Sequence, residues 1–124
     1  MTTITLVSER DLQNTVIDIA KLYGWLVNHQ RVARTDKGWR TAVEGHAGFP
    51  DLVLVRPALH EKVTSNSSKF RPPRLLFVEL KAKRGRLTDG QRQWMEALVQ
   101  IPFVEVLTWT PDDLTSGRIE KALT

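Results

Sequence analysis

The chain has 124 residues, of which 41% are hydrophobic and 26% charged, the balance of an ordinary globular protein with one core. It has no cysteine, which excludes disulfides and thiolate metal sites, and no apolar run near the roughly 20 residues that cross a bilayer. The net charge of +4 admits a polyanionic partner without requiring one. One domain over 1–124, with no internal repeat, is expected. The N-terminus lacks a basic region followed by an apolar core, so no signal peptide is expected, and the absence of cysteine fits a cytoplasmic location.

Ser8 opens the first helix, which the spacing predicts to about Tyr23. Ser8 can cap it, with Asp11 three positions on, and Leu12, Val16, Ile19 and Tyr23 form one apolar stripe. Gly24 follows, where a left-handed C-terminal cap is expected, and Trp25 to His29 reads as a short strand. Residues 31–48 read as a loop or loose hairpin. Asp51 to Arg56 holds four apolar residues in a row, Leu52 to Val55, as in a strand buried on both faces, and Pro57 ends it. Residues 57–73, with Thr64-Ser65-Asn66-Ser67-Ser68 and Pro72-Pro73, read as a mobile surface excursion.

Arg74 to Ala82 is the next strand. Thr88 then caps a helix to about Gln100, with Gln91 at the capping-box position, and Pro102 stops it. Phe103 to Trp109 is predicted to be a third buried strand. Thr110-Pro111-Asp112-Asp113 starts one last helix, with a cap, a first-turn proline and acids at the positive end. The order α, β, β, β, α, β, α predicts a three-layer α/β domain with a mixed central sheet.

Basic residues fall into two groups, Arg31, Arg34, Lys37 and Arg40, then Lys81, Lys83, Arg84 and Arg86. They are either two solvated loops or grips on a phosphate backbone. Glu79 and Lys81, two apart in Leu75 to Lys81, point to the same face, with Leu80 on the other. An isolated Glu-x-Lys is commonly a plain ion pair at a strand end. Here Gly48-Phe49-Pro50-Asp51 precedes it by a strand-loop-strand interval. If the two strands are neighbours, Asp51 and Glu79 converge, and with the Leu80 backbone carbonyl they make an all-oxygen site suited to Mg²⁺ or Mn²⁺. Lys81 would then stand beside the attacking water, to orient it or to stabilise charge in the transition state.

Pro50-Asp51 followed by Glu79-x-Lys81 matches the PD-(D/E)xK nuclease pattern. Gly48-Phe49-Pro50-Asp51-Leu52, Phe77-Val78-Glu79-Leu80-Lys81, and Gly85-Arg86-Leu87-Thr88 with Gln91 together resemble the VRR-NUC family of virus-type replication-repair nucleases. Ser8-Glu9 with Leu12-Gln13 and Gly24-Trp25 is similar to its opening helix, and Val106 to Pro111 to its final strand and turn. The resemblance covers nearly the whole chain, except the 57–73 loop, and looks like a stand-alone, phage-type domain acting in a bacterial host cell. It implies a restriction-endonuclease-like fold, metal-dependent hydrolysis of DNA phosphodiesters, Asp51 and Glu79 as metal ligands, and Lys81 as the catalytic lysine. It also implies Glu9 as a further acid and Gln91 as a residue near the site. Stand-alone members look like dimeric Holliday-junction resolvases. A nuclease for flaps, nicks or linear ends is the alternative within enzymes, and a non-catalytic DNA-binding module the alternative outside them.

Each secondary residue has a plainer reading beside the functional one. An acid at Glu9 suits the helix dipole, yet it shares the stripe with Leu12 and Val16 and so is expected to point inward. Gln91 is either a capping partner, a site residue, or both. His29 and Arg31 leave a strand that borders the expected cleft. His46 and His60 have no zinc spacing. Trp25, Trp94 and Trp109 read as packing residues, whereas Trp39 lies in a basic loop where it could wedge against a base.

Overall fold

The computed structural model describes residues 8–29, 33–35, 38–40, 44–64, 66–82 and 85–124. The elements are α1 (Glu9–Leu22), β1 (Leu26–His29), β2 (Ala33–Thr35), β3 (Gly38–Arg40), β4 (Leu52–Arg56), β5 (Leu59–Thr64), β6 (Ser67–Arg71), β7 (Arg74–Leu80), α2 (Asp89–Leu98), β8 (Val104–Trp109), α3 (Pro111–Thr115) and α4 (Arg118–Leu123). The central sheet has the order β1-β4-β7-β8. β1, β4 and β7 pair antiparallel, while β8 lies parallel to β7 because α2 carries the chain back across the sheet. This mixed sheet between helices is the restriction-endonuclease-like α/β fold expected from the sequence.

Strand alternation gives the sheet two unlike faces. Leu52 and Leu54 of β4, Leu76, Val78 and Leu80 of β7 and Trp109 of β8 pack with Leu12, Val16 and Ala20 of α1 and Ile119 and Leu123 of α4. The stripe on α1 is as the spacing predicts, with Ser8 Oγ accepting from the Asp11 N–H at 3.0 Å and Gly24 in the left-handed region. On the other face, α2 reaches the sheet through Met95, whose sulfur accepts from Thr108 Oγ1, and through Trp94, which packs on Phe49 and thereby on Phe77.

Four expectations are corrected. The β4 run is not buried on both faces: Val53 is half-buried and Val55 exposed, because α2 covers the β7–β8 side only. The 57–73 excursion folds into the β5–β6 hairpin, in which Leu59 pairs with Arg71, His60 with Phe70 and Thr64 with Ser67. The last strand starts at Val104. Phe103 stands outside it with a φ of 66° and 99% exposure, since the chain reverses there from α2 into β8. The last helix is two short ones, split at Gly117, whose φ of 82° ends α3 before α4 begins.

At the end of the sheet where β4 finishes and β7 starts, the guanidiniums of Arg56 and Arg74 both lie over the Trp25 ring, each 5.1 Å from its centroid. Trp25 Nε1 donates to the Leu123 carbonyl at 2.9 Å, Arg56 to that of Thr124 at 2.9 Å and Arg74 to that of Ala122 at 2.8 Å. These bonds satisfy carbonyls at the end of α4 that no further turn can reach. Arg74 also holds Glu105 through two bonds of 2.8 Å. The packing reading of Trp25 therefore holds, and α4 is fixed across the core on which β7 rests.

Candidate active site

Asp51 and Glu79 are 28 residues apart in the chain and meet because β4 and β7 are neighbours. Leu52 pairs with Val78, which sets Asp51, one residue before β4, against the Glu79 end of β7. Asp51 Oδ2 accepts the Leu80 N–H at 2.8 Å, so its carboxylate continues the ladder where the strand has stopped. An extended residue sends its N–H and C=O to the same side, so the Leu80 carbonyl also faces Asp51. Glu79 and Lys81 share the face opposite the core, as alternation requires.

Glu79 is only 1% exposed. Its Oε1 accepts from Gln91 Nε2 at 2.7 Å and stands 3.7 Å from Lys81 Nζ. Its Oε2 is buried with no hydrogen-bond partner among the described residues. Burial is the main force pushing the Glu79 carboxyl up, to about 8; the charge and contact of Asp51 add to it, and Lys81 partly opposes them. A folded-state pKa above the unfolded value makes the protonated form the stabilised one. This contribution is complete below about 4.5 and is lost as pH rises through about 8. Metal-free protein is therefore expected to lose stability between pH 5.5 and 8.5, and Mg²⁺ to raise the unfolding midpoint more at pH 8.5. Urea titrations at both pH values check this; an unchanged difference in Glu79→Gln would assign the effect elsewhere.

The donor set fits a divalent cation. A buried carboxylate oxygen without a partner, next to a second carboxylate, is an arrangement that a bound cation relieves. No three His, Cys, Asp or Glu side chains among the described residues come together as a metal cluster. Two carboxylates and a carbonyl would leave the other positions to water and substrate, as Mg²⁺ favours.

Gln91 is the capping partner of Thr88 and also touches Glu79. Its Oε1 accepts from the Thr88 N–H at 2.9 Å and its backbone N–H donates to Thr88 Oγ1 at 3.2 Å, closing the capping box. The other end of the same amide donates to Glu79, so the cap fixes which way the amide points.

The segment that delivers Asp51 is clamped on the start of α2. Gly48 has a φ of 99°, and a Cβ there would overlap the backbone of Gly90 and Gln91. A Cβ on Gly90 would stand 2.8 Å from the Ala47 carbonyl oxygen. The Phe49 ring meets Trp94 edge-on at 5.0 Å and Phe77 at 5.8 Å, and Trp94 Nε1 donates to the His46 carbonyl at 3.1 Å. Gly90, Phe49 and Trp94 were not legible as site residues. The one signal was a glycine in the first turn of a helix, where it weakens the helix unless close contact needs it.

Glu9 departs from expectation. It lies exposed in the first turn of α1 instead of on the buried stripe with Leu12 and Val16. Among the proposed DNA contacts, Arg31, Lys37, Lys83 and Arg84 lie outside the described residues. Arg34 and Arg40 pair across the β2–β3 hairpin with Trp39 and Ala33, and their side chains, like that of Trp39, are outside the description. Arg86 is exposed between β7 and α2. His29 pairs with Leu52 at the Asp51 end of the sheet, whereas His60 faces Phe70 in the hairpin at the opposite end.

A family model described as the VRR-NUC domain matches residues 9–108. No curated protein and no solved structure matches the chain.

Proposed function

The chain belongs to the VRR-NUC domain family, a family of nucleases, and from that premise we propose that it is a metal-dependent endonuclease hydrolysing phosphodiester bonds of branched DNA, Holliday junctions included. The observation that carries the catalytic reading is the buried Glu79 Oε2 beside Asp51, which has no hydrogen-bond partner among the described residues. A module that only binds DNA gains nothing from a buried acid pair that opposes ionisation, whereas a metal nuclease requires one.

In this reading Asp51, Glu79 and the Leu80 carbonyl hold Mg²⁺ or Mn²⁺. When bound, the cation supplies Lewis-acid polarisation of the phosphoryl oxygen and acidifies water. Gln91 keeps the Glu79 carboxylate turned toward Asp51. Lys81, half-buried and within 3.7 Å of Glu79, is held to orient the attacking water and to offset the negative charge that develops on the phosphoryl oxygens. Glu9, exposed in the first turn of α1, assists as a further acid. Arg31, Arg34, Lys37, Arg40, Lys83, Arg84 and Arg86 bind the DNA backbone without reading sequence.

A homodimer belongs to the same proposal. By strand register, the exposed large hydrophobics among the described residues, Leu22, Leu26, Val55, Leu59, Phe70, Val99, Ile101 and Phe103, lie at the end of the sheet away from Asp51 and Glu79. A second copy seated there leaves both sites open, and two symmetric sites suit a symmetric junction.

Labelled four-way junctions, flaps, nicked and linear duplexes, incubated with Mg²⁺ or EDTA, test the proposal. The expected result is metal-dependent cutting of branched DNA at least tenfold faster than of linear duplex. Preference for flaps, nicks or linear ends would remove the junction assignment. Binding that EDTA leaves unchanged, with no cutting under any metal, would make the chain a binding module.

A further inference from the structure

Beside the catalytic end, His46, Gln93, Trp94 and Ala97 line an open, largely apolar pocket of about 180 Å³. We propose that this pocket receives one base of the bound DNA strand, next to the phosphate being cut; the inference rests on the nuclease reading above.

The pocket is walled on one side by the loop that ends in Asp51 and on the other by α2, which carries Gln91. Trp94 lies one turn after Gln91, so the pocket and the Glu79 contact are neighbours along one helix. A strand whose phosphate sits between Asp51 and Glu79 places a neighbouring nucleotide within reach.

The Trp94 indole is fixed in advance by its bond to the His46 carbonyl and by its T-shaped contact with Phe49. A rigid aromatic surface is what a base needs for stacking, because little motion is lost on binding. The exposed Gln93 amide offers a donor and an acceptor to a base edge, and the exposed His46 imidazole offers the same pair when neutral. Among the described residues, neither side chain is tied into a hydrogen bond.

Size decides the occupant. Sites for whole cofactors and drug-sized ligands enclose roughly 300–1,000 Å³, and a protein partner needs far more surface than four residues provide. A pocket of about 180 Å³ suits a single planar ring.

The experiment uses a branched DNA carrying a single abasic nucleotide, in turn, at each of three positions on either side of the branch point, with any cut mapped on the same strands. Binding is measured with Ca²⁺ and cleavage with Mg²⁺, for the natural chain and for Ala97→Phe, which fills the pocket from an exposed position. The unfolding midpoint verifies that the variant folds. Expected is one position at which losing the base weakens binding about tenfold. Ala97→Phe should bind intact DNA weaker by a similar factor and be indifferent to the abasic nucleotide at that position. A flat series, or Ala97→Phe binding intact DNA as tightly as the natural chain, overturns the proposal. Binding that shows the position effect without cleavage keeps the pocket and removes the nuclease reading, so the two fail separately.

Discussion

Asp51→Asn and Glu79→Gln are each expected to reduce metal-dependent cleavage by about 10³-fold or more while leaving the protein folded. The folding half of the expectation follows from what each amide can still do. Asparagine keeps an oxygen to accept the Leu80 N–H, now 2.8 Å from Asp51 Oδ2, and glutamine keeps one to accept from Gln91 Nε2. What each loses is the charge that a cation needs.

Glu79→Gln has a further signature. The natural carboxyl is pushed up to about 8 because it is buried and faces Asp51, so ionising it at pH 8 and above strains the metal-free fold. A neutral amide removes that opposition. In EDTA at pH 8.5 the variant should unfold several degrees higher than the natural chain, and Mg²⁺ should raise its midpoint little. An activity-dead variant that is more stable without metal is the mark of an acid retained for chemistry. Cleavage within tenfold of the natural chain by either variant, over a range of Mg²⁺ concentrations, would take the metal away from these two residues.

Much of this site was legible because its information is local. The Glu79–Lys81 alternation follows from two-residue strand periodicity, and the meeting with Asp51 needed only that β4 and β7 be neighbours. The cap at Thr88 could be read from spacing, and so could the competition for Gln91, although only the structure reveals that one amide serves both. The errors came from surroundings that a linear pattern does not encode. Glu9 shares a helical phase with Leu12, but at the first turn of α1 none of the described residues covers it. The apolar run in β4 signalled two buried faces, while the second helical layer extends over only part of the sheet. Residues 57–73 are rich in turn formers, yet the turn needs only the centre of the segment, and its flanks pair as β5 and β6. Phe103 looked like the start of a strand because aromatic residues favour strands, whereas the reversal out of α2 claims it.

The least legible feature carries the second large expectation. Gly48→Ala should unseat the active site and destabilise the fold together, by about 3 kcal/mol or more. Two costs add: a φ of 99° is strained for any residue with a side chain, about 1–3 kcal/mol, and overpacking adds a similar amount. The overlap is with the backbone of Gly90 and Gln91, which cannot rotate aside as a side chain would. Relief must come from moving the 46–50 loop away from α2. That movement shifts Asp51 at one end, breaks the Trp94–His46 bond at the other, and turns Gln91 from Glu79. Gly45→Ala separates the two costs. Gly45 has nearly the same φ, 97°, but nothing stands within 4 Å of the added carbon. It should cost only about 1 kcal/mol and leave cleavage within a few-fold. Gly90→Ala, whose added carbon meets the Ala47 oxygen at 2.8 Å in an otherwise helical backbone, should fall between them. Denaturant unfolding and cleavage rates measured on the three variants give the order Gly48, Gly90, Gly45 in both quantities if the loop and α2 act as one clamp. Equal losses at Gly48 and Gly45 would mean that backbone strain alone matters, and that the contact with α2 does not hold Asp51 in place.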